Sequence, residues 1–233
     1  MNRTGLLRQC LPDTICLNPI GENAGEIWIQ EFDAMYRKFF DSVMEIQKAD
    51  ISAFPGYGEM DENNKPQCNT FMEFIEDTFA DDRDDYWKNW RELFKTSIMT
   101  EEFFEKYYHK MLKYVKYCEN QRFLVNNNLF FGNMVIMKDS VGFLDWDRMA
   151  VTDWILDFAC MDLHRPYFLI PEKLYEYLQE KGIRVENFKE RFLCMAYYKG
   201  LSVLRWHASI DDETSCRTIM QSISELESRM EKL

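Results

Sequence analysis

The fold is decided by residues 123–146, which read FLVNNNLFFGNMVIMKDSVGFLDW. Three short apolar runs lie in this stretch, at residues 123–125, 134–137 and 141–144. Short runs rich in β-branched and aromatic residues, with a polar turn at 138–140 between the last two, predict a small β-hairpin. Three consecutive asparagines, residues 126–128, begin the loop before this hairpin, and Asp145 directly follows its second strand.

Outside this stretch, apolar residues recur at three- and four-residue steps, which is the spacing of amphipathic helices. This spacing predicts helices at residues 26–49, 70–80, 101–119, 153–162, 171–181, 185–208 and 212–232. Asn69 or Thr70 is expected to cap the second of these helices and Thr100 the third. Residues 53–69 hold two prolines and two glycines and are predicted to form a loop, and residues 1–24 an irregular or short-strand segment.

The composition favours a helical protein. The chain has 233 residues, of which 46% are apolar, with only 9 glycines and 6 prolines. A chain of this length and apolar fraction fits one large domain better than two small ones. The scarcity of glycine and proline, which are common in turns, favours long helices over an all-β architecture. We therefore expect an α+β fold that is predominantly helical.

The charge balance restricts the partners. Forty acidic and 28 basic residues give a net charge of −12, which repels nucleic acid and anionic membranes and attracts a cationic small molecule or a basic protein surface. The alternative explanation of the acidic charge is solubility alone.

Seven cysteines without a CxxC pair predict reduced, mostly buried thiols. The sequence lacks a signal pattern and an 18-residue apolar run, so a cytoplasmic location without a membrane is expected.

The order of these motifs resembles the aminoglycoside phosphotransferase family, small-molecule kinases of the protein-kinase-like superfold. In that family a loop like HGDLxxxN is followed by a strand ending in IDW and by a segment like GDxxYDLA. This chain reads NNNLFFGN at 126–133, FLDWDRM at 143–149 and TDWILDFACM at 152–161. Residues 163–166, LHRP, are similar to the hygromycin-type phosphotransferases, and looser similarity extends from Phe32 to the end.

The resemblance implies a kinase-like carboxy-terminal lobe at residues 25–233, with the catalytic-loop region at 122–162 and the hairpin within it. It also implies that no complete amino-terminal lobe is present, because residues 1–24 are too few for its strands. A Gly-rich phosphate loop and a V-A-I-K-like strand are absent from the sequence. No cofactor-binding residue is therefore assigned, and ATP binding is not expected for this chain alone.

Residue by residue, the resemblance implies that Asn133 and Asp145 occupy the two Mg²⁺-ligand positions of the family. Asn128 occupies the position of the catalytic Asp. A carboxamide is neutral and cannot take a proton from a substrate hydroxyl near pH 7, although it can orient one. Asp153 and Asp157, which match the following motif, are interpreted as helix-start residues. Asparagine-rich loops also form ordinary turns, so this stretch could be structural.

Three hypotheses remain open from the sequence. The first is a degenerate, truncated phosphotransferase relative that binds ligands without efficient phosphoryl transfer, in the manner of a pseudokinase. The second is an active aminoglycoside or small-alcohol kinase that is completed by a separate amino-terminal lobe. The third is an interaction or inhibitor protein that reuses the lobe as an acidic scaffold.

Overall fold

The computed structural model describes residues 15–16 and 24–233 except residue 138, with side chains described from residue 31 onward. The segment predicted at 1–24 lies outside the described residues apart from 15–16 and 24. The helices of the described part are α1 (Ala24–Ile46), α2 (Phe71–Thr78), α3 (Leu93–Thr96), α4 (Glu101–Tyr114), α5 (Ile155–His164), α6 (Ile170–Glu180), α7 (Phe188–Ser209) and α8 (Glu213–Met230). Its strands are β1 (Ile15–Cys16), β2 (Tyr57–Met60), β3 (Pro66–Cys68), β4 (Phe123–Val125), β5 (Met134–Ile136), β6 (Val141–Phe143) and β7 (Ala150–Thr152).

Side-chain caps begin the helices where the sequence predicts them. Thr70 and Glu73 form a reciprocal capping box at α2, in which the Thr70 hydroxyl accepts from the Glu73 N–H at 3.1 Å. The Thr100 hydroxyl accepts from the Phe103 N–H at 3.2 Å at the start of α4. Each cap satisfies a backbone donor that has no partner within its helix. The prediction of these helices is confirmed, with ends that differ by a few residues.

The strands form two antiparallel sheets, ordered β1-β5-β6 and β3-β2-β7-β4. The predicted hairpin is β5–β6, with Ile136 opposite Val141. The prediction of a loop over 53–69 is wrong, because β2 and β3 form a second hairpin there. Gly56 has a φ of +103°, and a Cβ on it would collide with the backbone carbonyl of Cys68. The glycine that suggested a loop therefore allows β2 and β3 to approach each other as a hairpin.

Helix α5 lies at the centre of the described core. Its residues 155–163 are all buried, and it packs against α6, α7 and α8. A helix that is covered on every side needs apolar residues all round rather than on one stripe. Aromatic rings extend this core to α1: Phe158 lies 5.1 Å from Phe40 and 5.7 Å from Phe39, between ring centroids. Both contacts are edge-to-face, which aromatic pairs prefer.

A buried ion pair joins α7 to the start of α5. Arg191 Nε and one of its terminal nitrogens donate to the Asp153 carboxylate at 2.7 and 2.9 Å, and Asp153 is fully buried. Asp153 Oδ1 also accepts from the Ile155 N–H at 3.1 Å, so its predicted role at the helix start is confirmed. Removing one partner of such a pair leaves an uncompensated buried charge, which costs about 3–5 kcal/mol.

The described residues also bear on the cysteines and on membrane insertion. Cys118, Cys160, Cys194 and Cys216 are buried, Cys68 is half-buried, and all five are free thiols, as the sequence predicts. None of the helices in the described part is long and apolar enough to cross a bilayer.

The close approach of α7 and α8 at Gly200 gives the first prediction. A Cβ on Gly200 would lie 2.6 Å from Cδ1 of Ile223, which is itself fully buried. We expect Gly200→Ala to lower the free energy of unfolding by about 1–2 kcal/mol despite the better helix propensity of alanine, because overpacking outweighs it. Urea denaturation measures the change. Ile223→Val removes the colliding atom, so the double variant should recover part of the loss; a fully additive loss would contradict the predicted collision.

Candidate functional site

The structure brings together the three residues that the sequence singles out. Asn128 Nδ2 donates to Asp145 Oδ2 at 2.8 Å, and Asn133 Nδ2 donates to the Asn128 backbone carbonyl at 2.9 Å. Asn133 Nδ2 also lies 3.5 Å from Asp145 Oδ2. The turn of 3₁₀ helix at Phe131–Asn133 and the β5–β6 hairpin set this geometry, because the Leu144 N–H donates to the Asn133 carbonyl at 2.8 Å.

Asp157, in the first turn of α5, anchors the start of the loop. Its carboxylate accepts from the backbone N–H of Asn126 at 2.9 Å and of Asn127 at 2.8 Å, and Asp157 is 2% exposed. Asp157 does lie at a helix start, as expected, but it has a second role, since its partners lie 30 and 31 residues earlier in the chain. Sequence periodicity gives no signal for such a contact. Burial raises the pKa of Asp157 to about 6, although both N–H groups and Lys199 favour its charged form.

Asn127 is held by side chains that the sequence did not single out. Its Oδ1 accepts from Lys199 Nζ at 3.0 Å, and Lys199 also donates to the Asn127 backbone carbonyl. Its Nδ2 donates to Glu59 Oε1 at 3.0 Å and to the Arg148 carbonyl at 3.1 Å. Asn127 has a φ of +58°, a left-handed conformation that asparagine tolerates better than most residues.

Lys199 is a buried cation that could have been noticed in the sequence. It is 5% exposed, and burial lowers its pKa. A lysine among the apolar and aromatic residues of a long helix, CMAYYKGLSVL at 194–204, indicates a charge that the fold encloses. Its partner Asn127 lies 72 residues away, so the sequence gives no means of naming it.

Asn126 ties the loop to the strand end. Its Nδ2 donates to the carbonyls of Leu144 and Asp145, each at 3.2 Å, while its Oδ1 accepts from the Asn128 N–H at 3.1 Å. Because a carbonyl only accepts and an N–H only donates, these partners fix which end of the amide is oxygen. The three asparagines therefore have different sets of partners, and they connect the loop after β4 to β2, to α7 and to the residues between β6 and β7.

The metal-ligand positions offer a small set of oxygens. The two hydrogen bonds of the Asn133 amide are donated by Nδ2, so its Oδ1 accepts no hydrogen bond from the described residues, and the nearby Asp145 carboxylate is exposed. Mg²⁺ takes oxygen ligands and often uses one or two carboxylates plus phosphate oxygens and water. Asn133 and Asp145 fit that minimum. Within the described part of the chain, no group of three or more His, Cys, Asp or Glu side chains is placed to hold a metal.

The chemistry open to this site is limited by Asn128. Its Nδ2 donates to Asp145, so one oxygen of that carboxylate already carries a hydrogen bond. Its Oδ1 can accept from a hydroxyl group but has no basicity near pH 7. The arrangement can orient a hydroxyl and contribute one carboxylate to a cation, and it lacks a side chain that removes a proton at this position.

Comparison with solved structures reveals the same fold in aminoglycoside phosphotransferase APH(4)-Ia. A thermostable mutant of that enzyme in the apo form has a TM-score of 0.67 at 16% identity, over 88% of this chain and 67% of that chain. Its ternary complex with AMP-PNP and hygromycin B gives 0.68 at 15% identity, over 86% of this chain and 66% of that chain. The unmodified enzyme gives 0.68 at 15%.

These similarities establish an α+β kinase-like fold, which is the predicted fold class. This chain spans about two thirds of the length of those structures. No protein-family model matches the sequence, and no curated protein matches it. At 14–16% identity the likeness is one of fold, and the chemistry has to be argued from the residues present.

The anchoring role of Asp157 gives the second prediction. We expect Asp157→Asn to lower the free energy of unfolding by about 2–4 kcal/mol at pH 8, because one of the two buried N–H groups then faces an amide NH₂ rather than an oxygen. Chemical denaturation measures the loss, and faster hydrogen exchange at Asn126 and Asn127 locates it. Thr152→Val is the matched control, since the buried Thr152 hydroxyl has no hydrogen-bond partner among the residues that the structure describes. Its removal should be neutral or stabilising, and equal losses in the two variants would contradict the anchor.

Proposed function

We propose that this protein is a degenerate relative of the small-molecule phosphotransferases that binds a ligand without efficient phosphoryl transfer of its own. One observation carries the proposal. At the position where the resemblance expects a catalytic Asp, Asn128 donates its amide hydrogen to Asp145 at 2.8 Å. The amide oxygen of Asn128 can still accept from an incoming hydroxyl group, but it is not basic enough to take its proton.

The charge of the site supports the same proposal. Phosphoryl transfer relies on positioning and on metal ions that neutralise the developing charge. With Asn128 neutral, Asp145 is the carboxylate that remains among the three aligned positions, and it shares one oxygen with the Asn128 amide. Mg²⁺ at Asn133 and Asp145 would need phosphate oxygens and water to complete its shell. Such a site holds a metal weakly before a nucleotide arrives.

The ligand class proposed here is a polycationic small molecule or a basic protein surface. Asp145 and Asp147 are exposed carboxylates beside the loop, in a chain with a net charge of −12. Opposite charge raises the local concentration of such a ligand and its rate of association. Hygromycin B, which the APH(4)-Ia complexes contain, is the first candidate to test on this chain.

A second candidate function is an active kinase completed by a separate amino-terminal lobe. It is favoured by the Asn133 amide, which donates to the Asn128 carbonyl through Nδ2, so that its Oδ1 has no donor among the described residues. Because positioning contributes much of the rate in phosphoryl transfer, the loss of a base alone could leave a slow enzyme.

The third prediction tests whether this chain transfers a phosphoryl group without a partner lobe. Purified protein incubated with Mg²⁺, labelled ATP and hygromycin B should yield no phosphorylated product above that of the Asp145→Ala variant, because no side chain at position 128 can take the hydroxyl proton. Binding of hygromycin B without ATP is followed by calorimetry. Product formation that Asp145→Ala abolishes would overturn the proposal in favour of the kinase. If neither a cationic small molecule nor a basic protein binds, the proposed ligand class is wrong.

The fourth prediction concerns the metal. Asn128→Asp replaces the amide 2.8 Å from Asp145 Oδ2 with a second carboxylate, so divalent affinity should rise roughly tenfold because site charge tunes affinity. Mn²⁺ titration followed by water proton relaxation measures this. Asn128→Ala removes the amide without adding charge and is the control. If the alanine variant binds Mn²⁺ as tightly as the aspartate variant, position 128 does not face the metal site.

A further inference from the structure

A cavity of about 210 Å³ lies beside the side-chain partners of Asn127, between β2, α2, the segment before α3, and α7. It is next to the loop because Glu59 and Arg148, which both contact Asn127, also line the cavity. Three arginines and three carboxylates line it: Arg83, Arg148, Arg205, Glu59, Asp77 and Asp85. Equal numbers of opposite charges do not make the cavity neutral throughout, because the charges are unevenly paired.

Two of the arginines are neutralised by the carboxylates. Arg83 Nε donates to both oxygens of Asp85 at 3.0 and 3.1 Å, and Arg83 also pairs with Asp77 at 3.3 Å. Arg148 pairs with Glu59 Oε1 at 2.5 Å, while its side chain stays 49% exposed and keeps further donors for a ligand. All three carboxylates of the cavity are therefore engaged by Arg83 and Arg148.

Arg205 is the cation that remains. It is 2% exposed, its guanidinium carbon lies 3.9 Å from the ring centroid of Trp87, and one nitrogen donates to the Thr78 carbonyl at 2.9 Å. Its Nε is buried without a hydrogen-bond partner, and no carboxylate oxygen of the described residues lies within 4.0 Å of it. Burial and the charge of Arg83 lower the pKa of Arg205 to about 10, although Tyr198 and the more distant Asp85 favour its charged form. A buried guanidinium with an unmade hydrogen bond calls for an anionic partner.

We propose that this cavity binds a small molecule through a carboxylate or phosphate group that pairs with Arg205 and Arg148. The planar, forked donors of arginine match the oxygens of both groups. Trp87 and Phe74 give the cavity aromatic walls for the rest of the ligand. Its volume exceeds the roughly 150 Å³ of a cavity that accepts benzene, so a benzoate-sized ligand fits.

This cavity is a different site from the exposed carboxylates at Asp145 and Asp147. Its proposed ligand is an anion, whereas the ligand proposed for those carboxylates is a cation. Its ligand would pair with Arg148, which is bonded to Glu59, and Glu59 in turn accepts from the Asn127 amide. An anion bound there is therefore expected to shift the side-chain amide resonance of Asn127. That shift locates the ligand without any assay of catalysis.

The first test compares three probes by thermal unfolding at constant ionic strength: inorganic phosphate, benzoate, and benzamidine, a cation of the same size and shape as benzoate. At about tenfold above its dissociation constant, a bound probe should raise the melting temperature by about 3–5 °C. We expect phosphate or benzoate to do so and to shift the Asn127 amide, and the one that does identifies the oxyanion. Stabilisation by benzamidine alone, or by none of the three at millimolar concentration, would overturn the proposal.

The second test uses variants of the full chain. Ser202→Asp places a carboxylate three residues before Arg205 on α7, in the lining of the cavity, so it should raise the melting temperature and abolish the response to added anion. Arg148→Gln should weaken the anion response at least tenfold even if Ser202→Asp folds poorly. Arg217→Gln, at an exposed pair with Glu213, is the control and should respond like the wild type. Equal responses in Arg148→Gln and Arg217→Gln would overturn the assignment.

Discussion

Two hydrogen bonds to one buried carboxylate hold the site in place. Asp157 accepts from the N–H groups of Asn126 and Asn127, and it lies in α5, whose residues are buried almost throughout. The core of α5 fixes the carboxylate, the carboxylate fixes the loop, and the loop fixes Asn128, Asn133 and Asp145. Without this contact the loop would have to satisfy two buried donors elsewhere, at about 1–3 kcal/mol each.

The asparagines have a structural role in the loop. Asn126 joins the loop to the carbonyls at the end of β6, and Asn127 joins it to Lys199 of α7 and Glu59 of β2. Both amides have every strong hydrogen-bonding group engaged, which rigidifies a loop that carries no charge of its own. A rigid, neutral loop beside an exposed carboxylate suits binding. It can orient a hydroxyl group but cannot deprotonate it.

The sequence predicted the parts that depend on periodicity. The long helices follow from their apolar stripes, their caps from Thr70 and Thr100, and the β5–β6 hairpin from two apolar runs around a polar turn. The grouping of Asn128, Asn133 and Asp145 followed from the resemblance. The β2–β3 hairpin and β7 were not predicted, since strands of three or four residues are too short for a period-two signal and β2 carries glycine. Asp157, Lys199 and Arg205 act on partners 30 to 127 residues away, and such distances are set by packing.

The most direct test of this account is the titration of Asp157 itself. Carbon-13 NMR of the side-chain carboxyl should show a midpoint near pH 6, because burial raises its pKa to about 6. The backbone amide protons of Asn126 and Asn127 should shift with the same midpoint, since they donate to that carboxylate. Loop amides that do not follow the carboxyl would contradict the account, because the account has both N–H groups donating to that carboxylate.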